Sequence, residues 1–249
     1  MNEQSEQSIT VIGAGVIGLC CARTLQRRGY GVTVIDPLDP GMGTSYGNAG
    51  ILATGSVLPE GKPGLWKRVP GMLLDPLGPL TIRPSYLAKL TPWMLRFIAN
   101  TTAKRSEEIS QALASIVLPG LEHYRALLDD VASDEVPIRQ QGCLYLYPSA
   151  ANLAAARDDI ETRRQRGVAL EMLSPDEVRQ LVPAIGPDMA GGALATQSGH
   201  ATSPLALSQL LAARIVADGG NFIKAKASGF AIGSDGPTHV HTDQGDIPV

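Results

Sequence analysis

The stretch ITVIGAGVIGLCCARTLQRRGYGVTVID, residues 9–36, decides the fold. Residues 8–12 predict a short buried strand, and apolar residues then recur at helical spacing from about residue 15 to residue 28. Gly29 predicts the end of this helix, and the β-branched run VTVID at 32–36 predicts a second strand. A helix between two strands is typical of a βαβ unit, in which the strands pair in parallel.

Three glycines in this stretch form a Gly-x-Gly-x-x-Gly motif between the first strand and the helix. Gly13 permits a tight turn, Gly15 lets the backbone approach a pyrophosphate, and Gly18 lets helix and strand pack closely. The phosphates then lie at the positive N-terminus of the helix. Asp36 ends the second strand, where a carboxylate binds ribose hydroxyls and disfavours the 2′-phosphate of NADP. The motif therefore predicts a bound dinucleotide.

The segment PLDPGMGTSYGNAG, residues 37–50, distinguishes a flavin from a nicotinamide. It is rich in glycine, proline and asparagine and has no helical period, so it predicts a loop. A nicotinamide-binding Rossmann domain usually continues with another regular crossover, so the loop favours a flavin. The segment closely resembles the flavin-contacting loop of the D-amino-acid dehydrogenase branch of the glycine and D-amino-acid oxidase superfamily. Residues 79–98, 142–149 and 198–220 resemble further parts of the same family.

This resemblance implies FAD as the cofactor. The family's FAD contacts carry over to the three glycines, to Asp36 and to four loop positions, Ser45, Asn48, Ala49 and Gly50. With the residues inside the glycine motif, the predicted cofactor site is Gly13, Ala14, Gly15, Val16, Ile17, Gly18, Asp36, Ser45, Asn48, Ala49 and Gly50. No catalytic residue and no metal ligand set is assigned.

The resemblance also implies an activity. An FAD-dependent oxidoreductase of this kind oxidises the C–N bond of a D-amino acid or a related secondary amine. The imino acid is hydrolysed to a 2-oxo acid and ammonia, and the electrons pass to a non-oxygen acceptor such as a respiratory one. The alternatives are an NAD-linked dehydrogenase and a flavin-binding fragment without catalysis. Family members are considerably longer, so we expect this chain to be an N-terminal part.

The expected fold class is α/β, with a Rossmann-like FAD-binding domain of the glutathione-reductase type. An α+β substrate domain is inserted into it, and the C-terminal part is missing. The expected ranges are 1–55 for the first part of the FAD-binding domain, 56–195 for the inserted segment and 196–249 for the incomplete return to the FAD-binding domain.

Inside the inserted segment, prolines and helical periodicity alternate. Residues 58–84 are proline-rich and predict an irregular stretch. Residues 85–131 predict a long helical region that Pro92 and Pro119 interrupt. Further along, 137–149 predicts one strand and 149–167 one helix.

Two later helices carry clear start signals. Ser174 opens a short helix with a capping box, and Ser203 followed by proline opens a helix that ends at Gly219. Short strands then follow, turned at residues 234–236.

Composition excludes several classes of function. The net charge is −3 and no basic block occurs, which argues against nucleic acid as a partner. No apolar run reaches the ~20 residues of a membrane-spanning helix, and the first residues lack a leader pattern. We expect a cytoplasmic protein, at most peripheral on the inner face of the membrane, with an amino acid as its small-molecule substrate.

A few residues allow two interpretations, of which the structural one is favoured. His200 either approaches a cofactor or is a loop histidine, and His239 with His241 is either a partial metal site or a solvated strand face. Two interpretations also exist for Arg83, Tyr145 and Tyr147. They either contact the carboxylate of the substrate, because a guanidinium and a phenol can donate hydrogen bonds to it, or are structural residues. Residues 86–104 form either a core-facing amphipathic helix or a helix on a membrane surface.

Overall fold

The computed structural model describes residues 8–75, 77, 80–132 and 134–249, without the side chain of Arg68. The strands in chain order are β1 (Ser8–Ile12), β2 (Gly31–Asp36), β3 (Ile51–Leu52), β4 (Ile138–Arg139), β5 (Cys143–Tyr147), β6 (Leu170–Leu173), β7 (Gly191–Ala195), β8 (Gly199–Ala201), β9 (Asn221–Lys224), β10 (Ala227–Gly233), β11 (Gly236–Thr242) and β12 (Gly245–Pro248). The helices are α1 (Val16–Arg27), α2 (Leu65–Leu74), α3 (Leu87–Ala99), α4 (Ala103–Val117), α5 (Gly120–Leu127), α6 (Ala150–Ala155), α7 (Arg157–Gln165), α8 (Pro175–Leu181) and α9 (Pro204–Ala217).

The chain divides into two compact units. The first contains the described residues of Met1–Leu52, Leu121–Gln140 and Gly199–Val249, and the second contains those of Ala53–Gly120 and Gln141–Ser198. These boundaries lie near the expected domain ends at 55 and 195. Residues 121–140 differ, because they lie inside the expected insertion but pack with the first unit through Leu128. The roles assigned to the domains stay a prediction.

The first unit is built on a parallel sheet with the strand order β1-β2-β9. Helices α1 and α9 pack against each other, and Leu19, Leu211 and Ile215 are fully buried in the core that they share. Both strands and the helix of the predicted βαβ unit begin and end within one residue or so of the predicted positions. The α/β fold class is therefore confirmed.

Two antiparallel sheets, each also of three strands, complete the first unit. One has the order β3-β8-β4, and the other is the meander β10-β11-β12. The meander turns at residues 234 and 235, as the sequence predicts, and Val240 packs with Ile35 and Ala225.

The second unit contains the antiparallel sheet β5-β7-β6. Its core is small and consists of Val57, Ala114, Val168 and Ala195, with Tyr145 among the half-buried residues around it. The helices α2, α3, α4, α6, α7 and α8 belong to this unit.

Two predicted elements are each split in two. The predicted strand 137–149 breaks at Gly142, which takes a left-handed conformation with φ +82°, so that β4 and β5 join different sheets. A left-handed residue cannot continue a strand ladder, and glycine adopts it without steric cost. The predicted helix 149–167 is two helices that meet at Ala156.

Two prolines at which the sequence predicts irregular structure or an interruption lie inside helices. The stretch 58–84 contains the helix α2, with Pro70 inside it, and Pro92 lies within α3 without ending it. Pro92 is exposed, so the carbonyl left without an amide donor can be hydrated. Pro119 does separate α4 from α5. Among the described residues, no helix combines the length and the hydropathy needed to cross a bilayer.

Both predicted helix starts are confirmed. The Ser174 hydroxyl accepts a hydrogen bond from the amide of Glu177, whose carboxylate accepts one from the amide of Ser174. At α9, the Ser203 hydroxyl accepts from the amide of Ala206, and Gly219 follows the helix with φ +85°.

A buried arginine joins α1 to α9 and to the segment after α5. Arg23 is 2% exposed, and its guanidinium donates to Asp130 at 2.9 Å and pairs with Asp218. Gln26 accepts a hydrogen bond from Arg23 and donates to the carbonyl of Ile215 near the end of α9. Arg214 also pairs with Asp130. Three separate segments are thereby held by one charged cluster.

We expect Asp130→Asn to lower the free energy of unfolding by about 2 kcal/mol, because the buried guanidinium of Arg23 loses a charged partner. Urea denaturation measures this. The matched control is Asp129→Asn, since the neighbouring carboxylate pairs with Arg27 at the surface and contributes less. Equal losses for the two variants would contradict a special role of the cluster.

The same cluster predicts a dependence on pH. Burial alone raises the pKa of Asp130, but the hydrogen bond from Arg214 and the charge of Arg23 bring it below its ordinary value of 3.8. A lowered carboxyl pKa contributes stability above the ordinary value, and this is lost as pH falls through the lowered one. The difference in unfolding free energy between the wild type and Asp130→Asn should therefore shrink in acid.

Candidate functional site

The turn between β1 and α1 is formed by backbone atoms in close contact. Gly13 has φ +110°, and its amide donates to the carbonyl of Ile35 at 2.8 Å. A Cβ on Gly18 would lie 1.9 Å from the carbonyl oxygen of Gly13, which is too close for any side chain. The glycines at 13 and 18 are thus both required by the turn itself.

The N-terminus of α1 is left open to an anion. Gly15 is the N-cap and supplies no side-chain hydrogen bond, and the first turn contains no acidic residue. The amide of Val16 donates to the Ser45 hydroxyl at 2.9 Å, and Ile17 is 74% exposed. The helix dipole at an end without an acidic residue favours phosphate.

Asp36 lies beside this turn at the end of β2. One carboxylate oxygen accepts from the amide of Ala14 at 2.7 Å, and the other accepts from the amide of Leu38 at 2.8 Å. A carboxylate has about four acceptor positions, so two remain for the hydroxyls of a ribose.

The loop 37–50 is held in place at both ends of its path. The amide of Gly41 donates a hydrogen bond to the carbonyl of Ala14. The hydroxyl of Ser45, a residue that is 6% exposed, accepts one from the amide of Val16 at the start of α1. At the far end, Gly50 has φ +64°, and a Cβ there would lie 2.5 Å from the carbonyl oxygen of Ala201. The loop is therefore attached to the glycine turn and to β8.

The side chain of Asn48 forms hydrogen bonds within the loop. Its amide group donates to the carbonyl of Ser45 at 3.0 Å, and its side-chain oxygen accepts from the amide of Gly50 at 2.7 Å. The structure thus brings residues 13–16 together with Asp36 and Ser45, whereas Asn48, Ala49 and Gly50 form the part of the loop that leads to β3.

The turn and the loop expose large apolar side chains. Those of the first unit that lie in or next to these segments are Ile12, Ile17, Leu38, Met42, Tyr46 and Ile51, each more than 40% exposed. Exposed apolar side chains occur in ligand-binding grooves as well as on ordinary protein surface. Together with the open helix end and Asp36, these side chains fit a dinucleotide whose rings are less polar than its phosphates.

The candidate histidines and carboxylate contacts lie outside residues 12–51 of the chain. His200 pairs in β8 with Ile51 and Arg139. His241 bonds to Asp246 at 2.8 Å, and the described residues include no group of three or more potential metal ligands. Arg83 is exposed at the start of the short turn before α3.

In the second unit, Tyr145 lies under an arginine that the sequence did not indicate. The guanidinium carbon of Arg163 is 4.7 Å from the centre of the Tyr145 ring, and its Nε donates to the carbonyl of Gly55 at 3.2 Å. Burial raises the pKa of the Tyr145 phenol, and the charge of Arg163 opposes the rise. An arginine on α7 has no local signal that would connect it with a tyrosine on β5.

Comparison with known proteins identifies the family. The model of the DAO family, FAD dependent oxidoreductase, matches residues 8–249. A D-amino-acid oxidase of Bradyrhizobium diazoefficiens is 36% identical over 244 residues, which are 96% of this chain and 57% of that protein. D-amino acid dehydrogenase 2 of Ralstonia nicotianae is 34% identical over 178 residues, covering 71% of this chain and 42% of that one. The chain spans about half the length of these relatives.

Solved structures agree on the fold. Glycine oxidase from Bacillus cereus superposes with a TM-score of 0.63 at 18% identity, covering 98% of this chain and 54% of the oxidase. L-proline dehydrogenase from P. horikoshii gives 0.62 at 18% identity, covering 97% and 50%.

Gly18→Ala tests the turn. We expect it to lower the unfolding free energy by about 2 kcal/mol or more and to weaken FAD binding, because the helix must move away from Gly13. Urea denaturation and FAD titration measure the two effects. Gly43→Ala is the control within the loop, since a Cβ there meets no atom within 4 Å. A harmless Gly18→Ala would refute the close contact.

Proposed function

The chain belongs to the DAO family of FAD-dependent oxidoreductases, and we propose that it binds FAD and oxidises the C–N bond of an amino acid. The substrate class is a D-amino acid or a related secondary amine. The support is the family match along residues 8–249, together with relatives named D-amino-acid oxidase and D-amino acid dehydrogenase. A primary amino acid and the acceptor yield an imino acid and reduced acceptor, and water then converts the imino acid into a 2-oxo acid and ammonia. A secondary amine releases an amine in place of ammonia.

The single observation that carries the cofactor assignment is the open N-terminus of α1 beside Asp36. In this proposal residues 13–18 bind the pyrophosphate and Asp36 binds the ribose hydroxyls. Ser45 fixes the loop against α1, so that the amides of the turn keep their orientation. The residues Asn48, Ala49 and Gly50 continue the FAD-binding loop toward β3.

FAD, when bound, supplies the acceptor for the hydride that leaves the substrate Cα. The chain itself binds and orients the cofactor. Glycine amides bind the phosphates, a carboxylate binds the ribose, and apolar side chains exclude water. No residue of the described chain is assigned a catalytic role.

The proposed electron acceptor is not oxygen but a respiratory acceptor, reached at the inner face of the membrane. The support is the likeness of the TSYGNAG loop, residues 44–50, to the D-amino-acid dehydrogenase branch. An oxidase is the competing assignment, since the D-amino-acid oxidase of Bradyrhizobium diazoefficiens is 36% identical. Reoxidation of the reduced protein by a quinone analogue and by oxygen, measured side by side, separates the two.

The first experiment is gel filtration of the chain after incubation with FAD, followed by anaerobic addition of D-amino acids. We expect flavin absorbance to elute with the protein and to bleach with a D-amino acid, but not with its L-enantiomer. Bound flavin that no D-amino acid, secondary amino acid or glycine bleaches would favour the alternative of a flavin-binding fragment without catalysis. Saturable NAD binding without FAD binding would favour an NAD-linked dehydrogenase.

Asp36→Ala tests the ribose contact. We expect the dissociation constant for FAD to rise roughly 10- to 100-fold, since hydrogen bonds to a charged group contribute about 1.5–3 kcal/mol. Asp39→Ala is the matched control, because this exposed loop carboxylate pairs with Lys224 instead. Equal losses from both variants would show a general charge effect and contradict the assignment.

A further inference from the structure

Helix α3 is apolar and yet has no buried residue. Leu90, Met94 and Phe97 are half-buried and mark the side that faces the rest of the second unit. Beside them the helix exposes Leu87, Trp93, Leu95 and Ile98, with Trp93 stacked on Phe97 at 5.1 Å. The core-facing interpretation that the sequence favours therefore accounts for only a narrow strip of this helix.

The preceding segment shows the same exposure. In α2, Trp66 is 56% exposed and Leu74 is 83% exposed, and Leu77 beyond the helix is 95% exposed. Apolar side chains of this size seldom occur together on a surface that meets only water. Both helices thus present apolar side chains that no described residue covers.

Charge distinguishes this segment from the rest of the chain. Residues 65–99 contain one acidic residue, Asp75, and five basic ones, Lys67, Arg68, Arg83, Lys89 and Arg96. Their net charge is therefore +4, whereas the whole chain carries −3, which leaves −7 for all other residues. Among the described side chains, Arg83, Lys89 and Arg96 form no ion pair, and Lys67 lies over the Trp66 ring at 5.5 Å.

Within α3 the basic residues are grouped. Lys89 and Arg96 are seven residues apart, so they lie on nearly the same side of the helix, away from the half-buried strip. Amphipathic helices with tryptophan and leucine on one face and lysine and arginine on the other lie in the interface of anionic bilayers. Exposed cations attract the phosphate head groups, and the apolar side chains enter between the lipids.

We propose that the described residues of 65–99, here called the basic apolar segment, bind the surface of a bilayer that contains anionic phospholipid. The proposal extends the proposed function by naming the surface through which a respiratory acceptor is approached. It does not depend on catalysis, and its test requires none.

The chain carries its own reporter for this test. It contains two tryptophans, Trp66 and Trp93, and both lie in the basic apolar segment. We expect their fluorescence to shift to the blue when vesicles of phosphatidylcholine and phosphatidylglycerol in equal amounts are added. Vesicles of phosphatidylcholine alone should give little shift, and high salt should reverse the effect. Cosedimentation with the vesicles measures the affinity.

Two pairs of variants assign the effect to the segment. Lys89→Glu with Arg96→Glu should weaken binding to the mixed vesicles at least about tenfold, since each basic residue contributes roughly fivefold, while the exposed Lys226→Glu should change it little. Leu74→Ser with Leu95→Ser should reduce the blue shift. Ile116→Ser is the matched apolar control, 70% exposed on α4 of the same unit. Circular dichroism verifies folding of each variant.

Three outcomes would overturn the proposal. The first is equal binding to both vesicle types, and the second is binding without a change in tryptophan emission, which would place the contact elsewhere. The third is a tryptophan emission that is blue-shifted and shielded from acrylamide before lipid is added, which would mean that protein covers the segment. None of these results affects FAD binding or substrate oxidation, so failure here is distinct from failure of the proposed function.

Discussion

The first unit depends on how closely the backbone of α1 approaches the turn that precedes it. The place where a side chain would begin on Gly18 is 1.9 Å from the carbonyl oxygen of Gly13. This contact sets the position of the helix N-terminus relative to β1 and β2. The hydrogen bonds from Ala14 to Asp36 and from Gly41 to the Ala14 carbonyl require the same turn. The proposed anion site, the proposed ribose carboxylate Asp36 and the anchor of the loop therefore share one constraint.

The loop 37–50 shows how a segment without regular structure becomes part of a site. Its polar groups are largely satisfied from within, as Asn48 illustrates by bridging the carbonyl of Ser45 and the amide of Gly50. Its ends are attached to segments distant in sequence, α1 at one end and β8 at the other. Such a loop keeps its shape before a ligand arrives, which lowers the entropy cost of binding.

The buried charge of Arg23 in the first unit is paired, whereas the described basic side chains of the basic apolar segment are at the surface. Arg23 is buried, and its charge is matched by carboxylates from two other segments. Along residues 65–99, in contrast, basic side chains stand at the surface beside exposed tryptophan and leucine. A paired buried charge specifies how segments meet inside a unit, whereas an unpaired surface charge is available to a partner.

The sequence by itself determined the βαβ unit, the glycine turn, Asp36 and both capped helices, because the signals for these features lie within a few residues of one another. It did not predict the break at Gly142 or the place of residues 121–140 in the first unit, since strand partners and core partners come from distant segments. The contacts of Gly50 with Ala201 and of Arg163 with Tyr145 were likewise decided only by the tertiary structure. Amphipathic spacing predicted the helix at α3, but only packing decided how little of its apolar surface the protein covers. The spacing of apolar residues indicates which face of a helix is apolar, and the neighbouring elements determine whether that face is buried or exposed.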